Sequence, residues 1–204
     1  MFLVETRWPV ELPGMRLGVY GGSFDPVHLG HLLVAQAARE ELDLDGVVFI
    51  PAAKSPFKPG TQPTSGAIRA QMLRLALQGW EWTTVDDREL RRGGISYTVD
   101  TLREIAAEHP GVELFYLIGA DHAPVLPKWR EADALAGLAQ FVVIPRPGDP
   151  DPVLPAPFQG KVLRGFPLGV SSSRIRDRVK AGQSIRHLVP SGVAEAVSAN
   201  RLYL

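Results

Sequence analysis

Two histidines three residues apart, His28 and His31, close the stretch GGSFDPVHLGH at residues 21–31. Imidazoles can move protons, donate to phosphates or ligate metals, and at this spacing on a helix they share one face. Gly21 and Gly22 let a backbone come close to an anion, and a helix opening just beyond them offers free N–H donors and partial positive charge. The chemistry that suits the set is phosphate handling. On these residues alone three alternatives stay open: a tight turn with no ligand, surface or core histidines with no role, and a metal site in which Asp25 adds to the histidine pair.

A second candidate lies near the other end, in VSSSRIRDRV at 170–179. Three serines at a helix start present hydroxyls and N–H groups to an anion, and Arg176 adds a fixed charge. The plain alternative is a serine helix cap beside solvated arginines.

The surrounding pattern says what must position these groups. Short apolar runs at 16–20, 46–51, 83–86, 113–119, 140–145 and 161–164 read as strands. Helical stripes alternate with them over 32–42 (Leu33, Ala37, Ala38, Leu42), 67–78 (Ile68, Met72, Leu75, Ala76) and 98–108 (Val99, Leu102, Ile105, Ala106). Two further helices are expected near 172–181 and 192–199. This alternation predicts an α/β fold, a Rossmann-like, doubly wound, mostly parallel sheet with helices on both faces and a C-terminal helical segment. Segments 52–66 and 146–160 fit neither period and read as long loops, a common place for function.

The 204 residues suit one domain, expected over 15–204, with 1–14 as an extension ahead of Met15, itself a candidate start. With 22 basic and 22 acidic residues the net charge is zero, which argues against nucleic-acid coating or membrane-surface binding. No cysteine is present, so disulfides, thiolate zinc sites and a thiol nucleophile are excluded, and a cytoplasmic location is expected. No apolar run reaches the roughly 18 residues of a membrane span.

GGSFDPVHLGH resembles the HxGH signature of a nucleotidyltransferase superfamily, and VSSSRIR resembles its ISSTxIR motif. Three more stretches, DDRELRRGGISYTVDTL (86–102), YLIGADH (116–122) and LPKWREADAL (126–135), are similar to those of nicotinate-nucleotide adenylyltransferases, as is the closing LVPSGVAEAVSANRLY. The resemblance spans nearly the whole chain from Met15. Phosphopantetheine and nicotinamide-mononucleotide adenylyltransferases are the alternatives, and a non-catalytic nucleotide-binding module is the competing class.

The resemblance implies transfer of AMP from ATP, carried with Mg²⁺, to nicotinate mononucleotide, with no metal held by the protein alone. It places His28, His31 and Arg176 in catalysis. Gly21, Gly22, Ser23, Phe24, Lys58 and Ser173 join them around the nucleotide phosphates. Trp129 would stack on the pyridine ring, backbone N–H groups near Thr98 and Arg130 would meet its carboxylate, and Asp121 would lie near a sugar. Arg88 and Glu89 read as a surface or supporting pair. The partners implied are ATP and nicotinate mononucleotide, without nucleic acid or membrane, and a homo-oligomer is compatible. One departure stands out: KSPFK (54–58) places Phe57 where the family often has histidine. Lys54 compensating, or Phe57 packing over a bound base, are the two readings.

Overall fold

A computed structural model describes residues 14–57, 62–145, 152–166 and 168–204. Lys58 and all but the last residue of the 1–14 extension fall outside the described residues. Six strands form one sheet in the order β3-β2-β1-β4-β5-β6, and every neighbouring pair is parallel. They are β1 (Arg16–Gly22), β2 (Gly46–Pro51), β3 (Thr83–Val85), β4 (Glu113–Gly119), β5 (Gln140–Ile144) and β6 (Gly160–Val162). The helices are α1 (Leu29–Glu41), α2 (Gly66–Ala76), α3 (Arg88–Arg92), α4 (Thr98–Glu108), α5 (Ala132–Leu138), α6 (Ser172–Lys180) and α7 (Ser191–Ala199), with a 3₁₀ stretch over Ala120–Lys128.

Strand alternation splits the core in two. Val47 and Phe49 of β2, with Phe115 and Leu117 of β4, pack on one face against α1, α2, α6 and α7. Val48 and Ile50, with Leu114, Tyr116 and Ile118, pack on the other against α4, α5 and the 3₁₀ stretch. The period of two along each strand therefore assigns every apolar side chain to one layer or the other. Strand order reverses between β1 and β4, and in such sheets ligands settle outside the carboxyl ends at that switch.

Several boundaries differ from the sequence expectation. β1 runs on to Gly22, because Gly21 and Gly22 pair with Ile50 and Pro51. α1 opens at Leu29 rather than 32, with His28 as its cap. α3, α5 and the 3₁₀ stretch were not anticipated; each is short, and the last carries Pro124 and Pro127, which hide it from a 3.6-residue period. Among the described residues, no helix is long and apolar enough to cross a membrane.

The buried face of α2 is Arg69, Ala70, Met72, Leu73 and Ala76, rotated from the expected stripe, so Ile68 and Leu75 are only partly buried. Arg69 is 1% exposed. Its guanidinium donates to the carbonyls of Thr64 (2.8 Å), Ser23 (2.7 Å) and Ala52 (2.8 Å), tying the ends of β1 and β2 to the start of α2. Burial lowers its pKa from the usual arginine value, and the charge of Asp25 opposes that shift.

Replacing Arg69 by methionine strands three partly buried carbonyls. We expect a loss of about 3 kcal/mol or more in unfolding free energy, read from urea titration. Arg69→Lys, with one compact ammonium for three diverging acceptors, should recover less than half of it.

Candidate functional site

The strand-to-helix corner is close-packed before any ligand is considered. A Cβ on Gly21 would sit 2.6 Å from the Tyr116 hydroxyl, and one on Gly30 would sit 3.0 Å from both His28 Nδ1 and Val170 Cγ1. Any side chain at the glycine inside the HxGH run would press on the imidazole packed over it. Phe24 holds a left-handed backbone, φ +47°, which turns the chain sharply out of the strand.

His28 and His31 stack, with ring centroids 3.7 Å apart and planes 30° from parallel. In-plane lone pairs of two stacked rings do not converge on one point, which speaks against a shared metal ion. His31 Nδ1 accepts the backbone N–H of His28 at 3.2 Å, so in the neutral ring the proton sits on Nε2 and that atom is a donor. His28 is 6% exposed, its Nδ1 is buried without a hydrogen-bond partner, and burial lowers its pKa from 6.5 to about 4. It is a neutral ring at physiological pH.

Facing this corner stands the N-terminus of α6. Ser171 caps it by accepting the Arg174 N–H, while Ser172 donates to the Pro26 carbonyl at 2.9 Å. Arg176 donates to the Asp25 carbonyl at 2.8 Å and to Ser173 Oγ at 3.2 Å. Neither α1 nor α6 has an acidic residue in its first turn. Both positive helix ends are thus left without an internal counter-charge.

A pocket of about 420 Å³ opens beside them, lined by Ser23, Lys54, Arg176, Lys180 and Tyr203 among others. His28, His31 and Ser173 do not line it, so the phosphate-side residues expected from the sequence divide between the corner and this pocket.

A second, smaller cleft of about 90 Å³ lies between Phe57, Tyr97, Thr98, Trp129 and Arg130. Phe57 packs 5.3 Å from the Trp129 ring and 5.1 Å from His122, and remains 47% exposed. The Thr98 hydroxyl pairs with Tyr116 at 3.1 Å, and Tyr97, not Thr98, is the cap of α4. The Arg130 guanidinium rests 4.6 Å over the Tyr97 ring and reaches Asp100 at 3.3 Å, so its charge is already shared. Asp121 folds back over Gly119 at the end of β4, where a Cβ on that glycine would meet its Oδ1 at 2.6 Å.

The two clefts are joined through backbone. Ser96 donates its N–H to Lys54 (2.9 Å) and accepts the Ala53 N–H on its hydroxyl (2.9 Å).

Arg88 and Glu89 do not lie at the surface. Both are buried; Arg88 bonds Asp86 and Glu108, while Glu89 accepts the Thr101 hydroxyl at 2.6 Å. Burial raises the Glu89 carboxyl pKa, and hydrogen bonds from Thr101 and Ser96 oppose this.

Sequence reasoning passed over Arg69 and Tyr203, and took Ser172 only as one of three serines at a helix start. Arg69 did leave a signal, an arginine at i with Met72, Leu73 and Ala76 at i+3, i+4 and i+7. Tyr203 left none, because its partner Asp25 lies 178 residues away. A further cavity of about 990 Å³, between α6, α7 and the C-terminus, contains none of the expected site residues.

The cytidylyltransferase-like family matches residues 19–178. A "Probable nicotinate-nucleotide adenylyltransferase" of Geobacter sp. (strain M21) is 41% identical over 213 residues, covering 93% of this chain and 99% of that one. Another so named, from Gemmatimonas aurantiaca, is 41% identical over 196 residues, covering 93% and 92%. Among solved structures, Plasmodium falciparum nicotinic acid mononucleotide adenylyltransferase complexed with NaAD superposes with a TM-score of 0.75 at 17% identity, over 93% of this chain and 97% of that one. That likeness carries the Rossmann-like fold; the sequence relatives carry the family. The chain belongs to the cytidylyltransferase-like family and, within it, to the nicotinate-nucleotide adenylyltransferases.

Proposed function

We propose that the protein joins the AMP part of MgATP to nicotinate mononucleotide, giving deamido-NAD and pyrophosphate. The observation that carries this reading is the opposition of two helix N-termini across one loop. His31 stands on the first and Arg176 on the second, and Arg176 is bonded to that loop at Asp25. A mononucleotide phosphate oxygen attacks the α-phosphorus, its new P–O bond forming as the bond to the β-phosphate oxygen breaks. The phosphate dianion is already a nucleophile, so the site needs donors and correct placement rather than a base. His31 Nε2–H and the α1 end donate on one side, Arg176 and Ser173 on the other. His28 supports the His31 ring from beneath and reaches the ATP phosphates. Gly21, Gly22, Ser23 and Phe24 line the nucleotide from the strand end.

Mg²⁺ enters with the triphosphate and is held by its oxygens and water. Among the described residues no group of three or more His, Asp or Glu side chains gathers to hold an ion by itself.

The pyridine ring is assigned to the Trp129 cleft, with Phe57 as its outer cover. The carboxylate is assigned to the N-terminal N–H groups of α4, at Thr98 and Val99, a reading supported by Thr98 and Val99 lining this cleft at the helix start. Arg130 contributes its backbone, and Asp121 a contact to a sugar.

Three results are expected. His31→Ala should lower kcat by about two orders of magnitude or more, with a smaller change in KM, because the lost donor acts on charge that grows during transfer. Near-normal turnover in steady-state assays would refute the assignment.

Nicotinate mononucleotide should exceed nicotinamide mononucleotide in kcat/KM by about two orders of magnitude. An amide NH₂ facing backbone donors leaves a buried group unpaired at roughly 1–3 kcal/mol, besides losing charge-assisted bonds. Parallel assays of both substrates decide it.

The third concerns acid. With the His28 pKa near 4 in the folded protein and 6.5 unfolded, the unfolded chain takes up the proton first as pH falls. Stability from the neutral ring is complete above 6.5 and is lost as pH falls through 4. Between pH 7.5 and 5.0 this group alone should cost about 2 kcal/mol. Urea unfolding of His28→Gln should show a pH slope shallower by that amount.

A further inference from the structure

The last turn of the chain reaches into the basic pocket. The Tyr203 hydroxyl donates to Asp25 Oδ1 at 2.7 Å, and Oδ2 accepts the Thr64 N–H at 3.2 Å. Asp25 is 7% exposed, so its carboxylate sits inside the wall of a pocket whose other charged lining groups are Lys54, Arg69, Arg176 and Lys180. To bring the phenol there, the backbone takes left-handed values at Arg201 (φ +48°) and Tyr203 (φ +64°), a conformation that side-chain-bearing residues seldom hold. Such departures persist where surrounding contacts determine them, and often at functional sites. Burial and the nearby Asp25 both push the Tyr203 phenol upward from its usual pKa, so it stays a protonated donor.

The pocket poses an electrostatic problem. A carboxylate in the wall of a site for phosphate either repels the incoming anion or captures the cations meant for it. Here each carboxylate oxygen already holds a neutral donor, Tyr203 on one and a backbone N–H on the other. Arg69, the nearby cation, is committed to three carbonyls. Arg176 meets Asp25 only at its backbone oxygen. The charge of Arg176 is thereby left for a ligand.

We propose that Tyr203 is a positioning residue of a phosphate-binding pocket: by holding the Asp25 carboxylate it keeps Arg176 and Lys180 available to a phosphate group of a substrate. The proposal rests on the nucleotidyl-transfer reading for the identity of that substrate. Without the hydroxyl, the Asp25 carboxylate turns toward Arg176 and Lys180 and competes with the phosphate for them. The phosphate is either the triphosphate tail or that of the mononucleotide, and the two make separable predictions.

The experiment measures calorimetric affinity of the full chain for three probes, each with Mg²⁺: pyrophosphate, α,β-methylene-ATP and nicotinate mononucleotide. For Tyr203→Phe, a triphosphate pocket predicts about tenfold weaker binding of the first two with nicotinate mononucleotide changed less than about twofold. A mononucleotide-phosphate pocket predicts the reverse. Adding Asp25→Asn to Tyr203→Phe removes the competing charge and should bring affinity back to within about threefold of wild type. Asp25→Asn alone should bind at least as tightly as wild type. Equal weakening of all three probes, weakening of none, or no recovery in the double variant would overturn the proposal. These readings need no turnover, so failure of the wild-type protein to join ATP to nicotinate mononucleotide would count against the proposed reaction alone.

Discussion

The geometry at the carboxyl end of the sheet depends on one buried guanidinium. Arg69 gathers three carbonyls from three separate segments, the residues after β1, after β2 and before α2. A parallel sheet leaves its strand ends to be continued by loops, and loops have backbone oxygens that must be satisfied when covered. A planar, permanently charged fork serves three diverging acceptors where water or a lysine could not. Its charge is offset by Asp25, three residues before the first histidine of the corner. The same residue that closes the core thus sets where the corner begins.

Burial settles the chemistry of that corner. Two imidazoles stacked at 3.7 Å would repel if both were protonated, and His28 is held neutral by its surroundings. Positive charge is supplied instead by arginine and lysine on α6, outside the stack, where water can reach them. Charge and hydrogen-bond direction are divided between two walls of one site. This division suits a reaction in which two anions must be brought together, since neutral donors set direction on one side while fixed cations offset charge on the other.

Most of the fold was legible because strands in a sheet covered on both faces are continuous apolar runs. The segments 46–51 and 113–119 emerge with the bounds that their composition marks. Short elements rich in proline or charge were not legible; α3 is RELRR, and nothing in those five residues distinguishes a buried turn of helix from a surface loop. In the candidate site, the motif residues could be named from their types. Their protonation could not, because it follows from how deeply each ring is covered. Nor could the tie between Tyr203 and Asp25, which depends on the path of the last turn rather than on any local pattern. Arg69 lay between these cases, a charge at a core position that a corrected helix phase exposes.

The two helices that open onto the site carry no acidic residue in their first turns, in a chain whose formal charge is zero. Whole-molecule neutrality therefore conceals an uneven distribution, with Lys54, Arg69, Arg176 and Lys180 gathered at one rim of the sheet and most of the compensating acidic charge elsewhere. Polyanions diffusing nearby are drawn to that rim, and the pull fades over roughly 8 Å at physiological ionic strength. Selectivity at long range comes from where charge is left out, which no count of acidic and basic residues reveals.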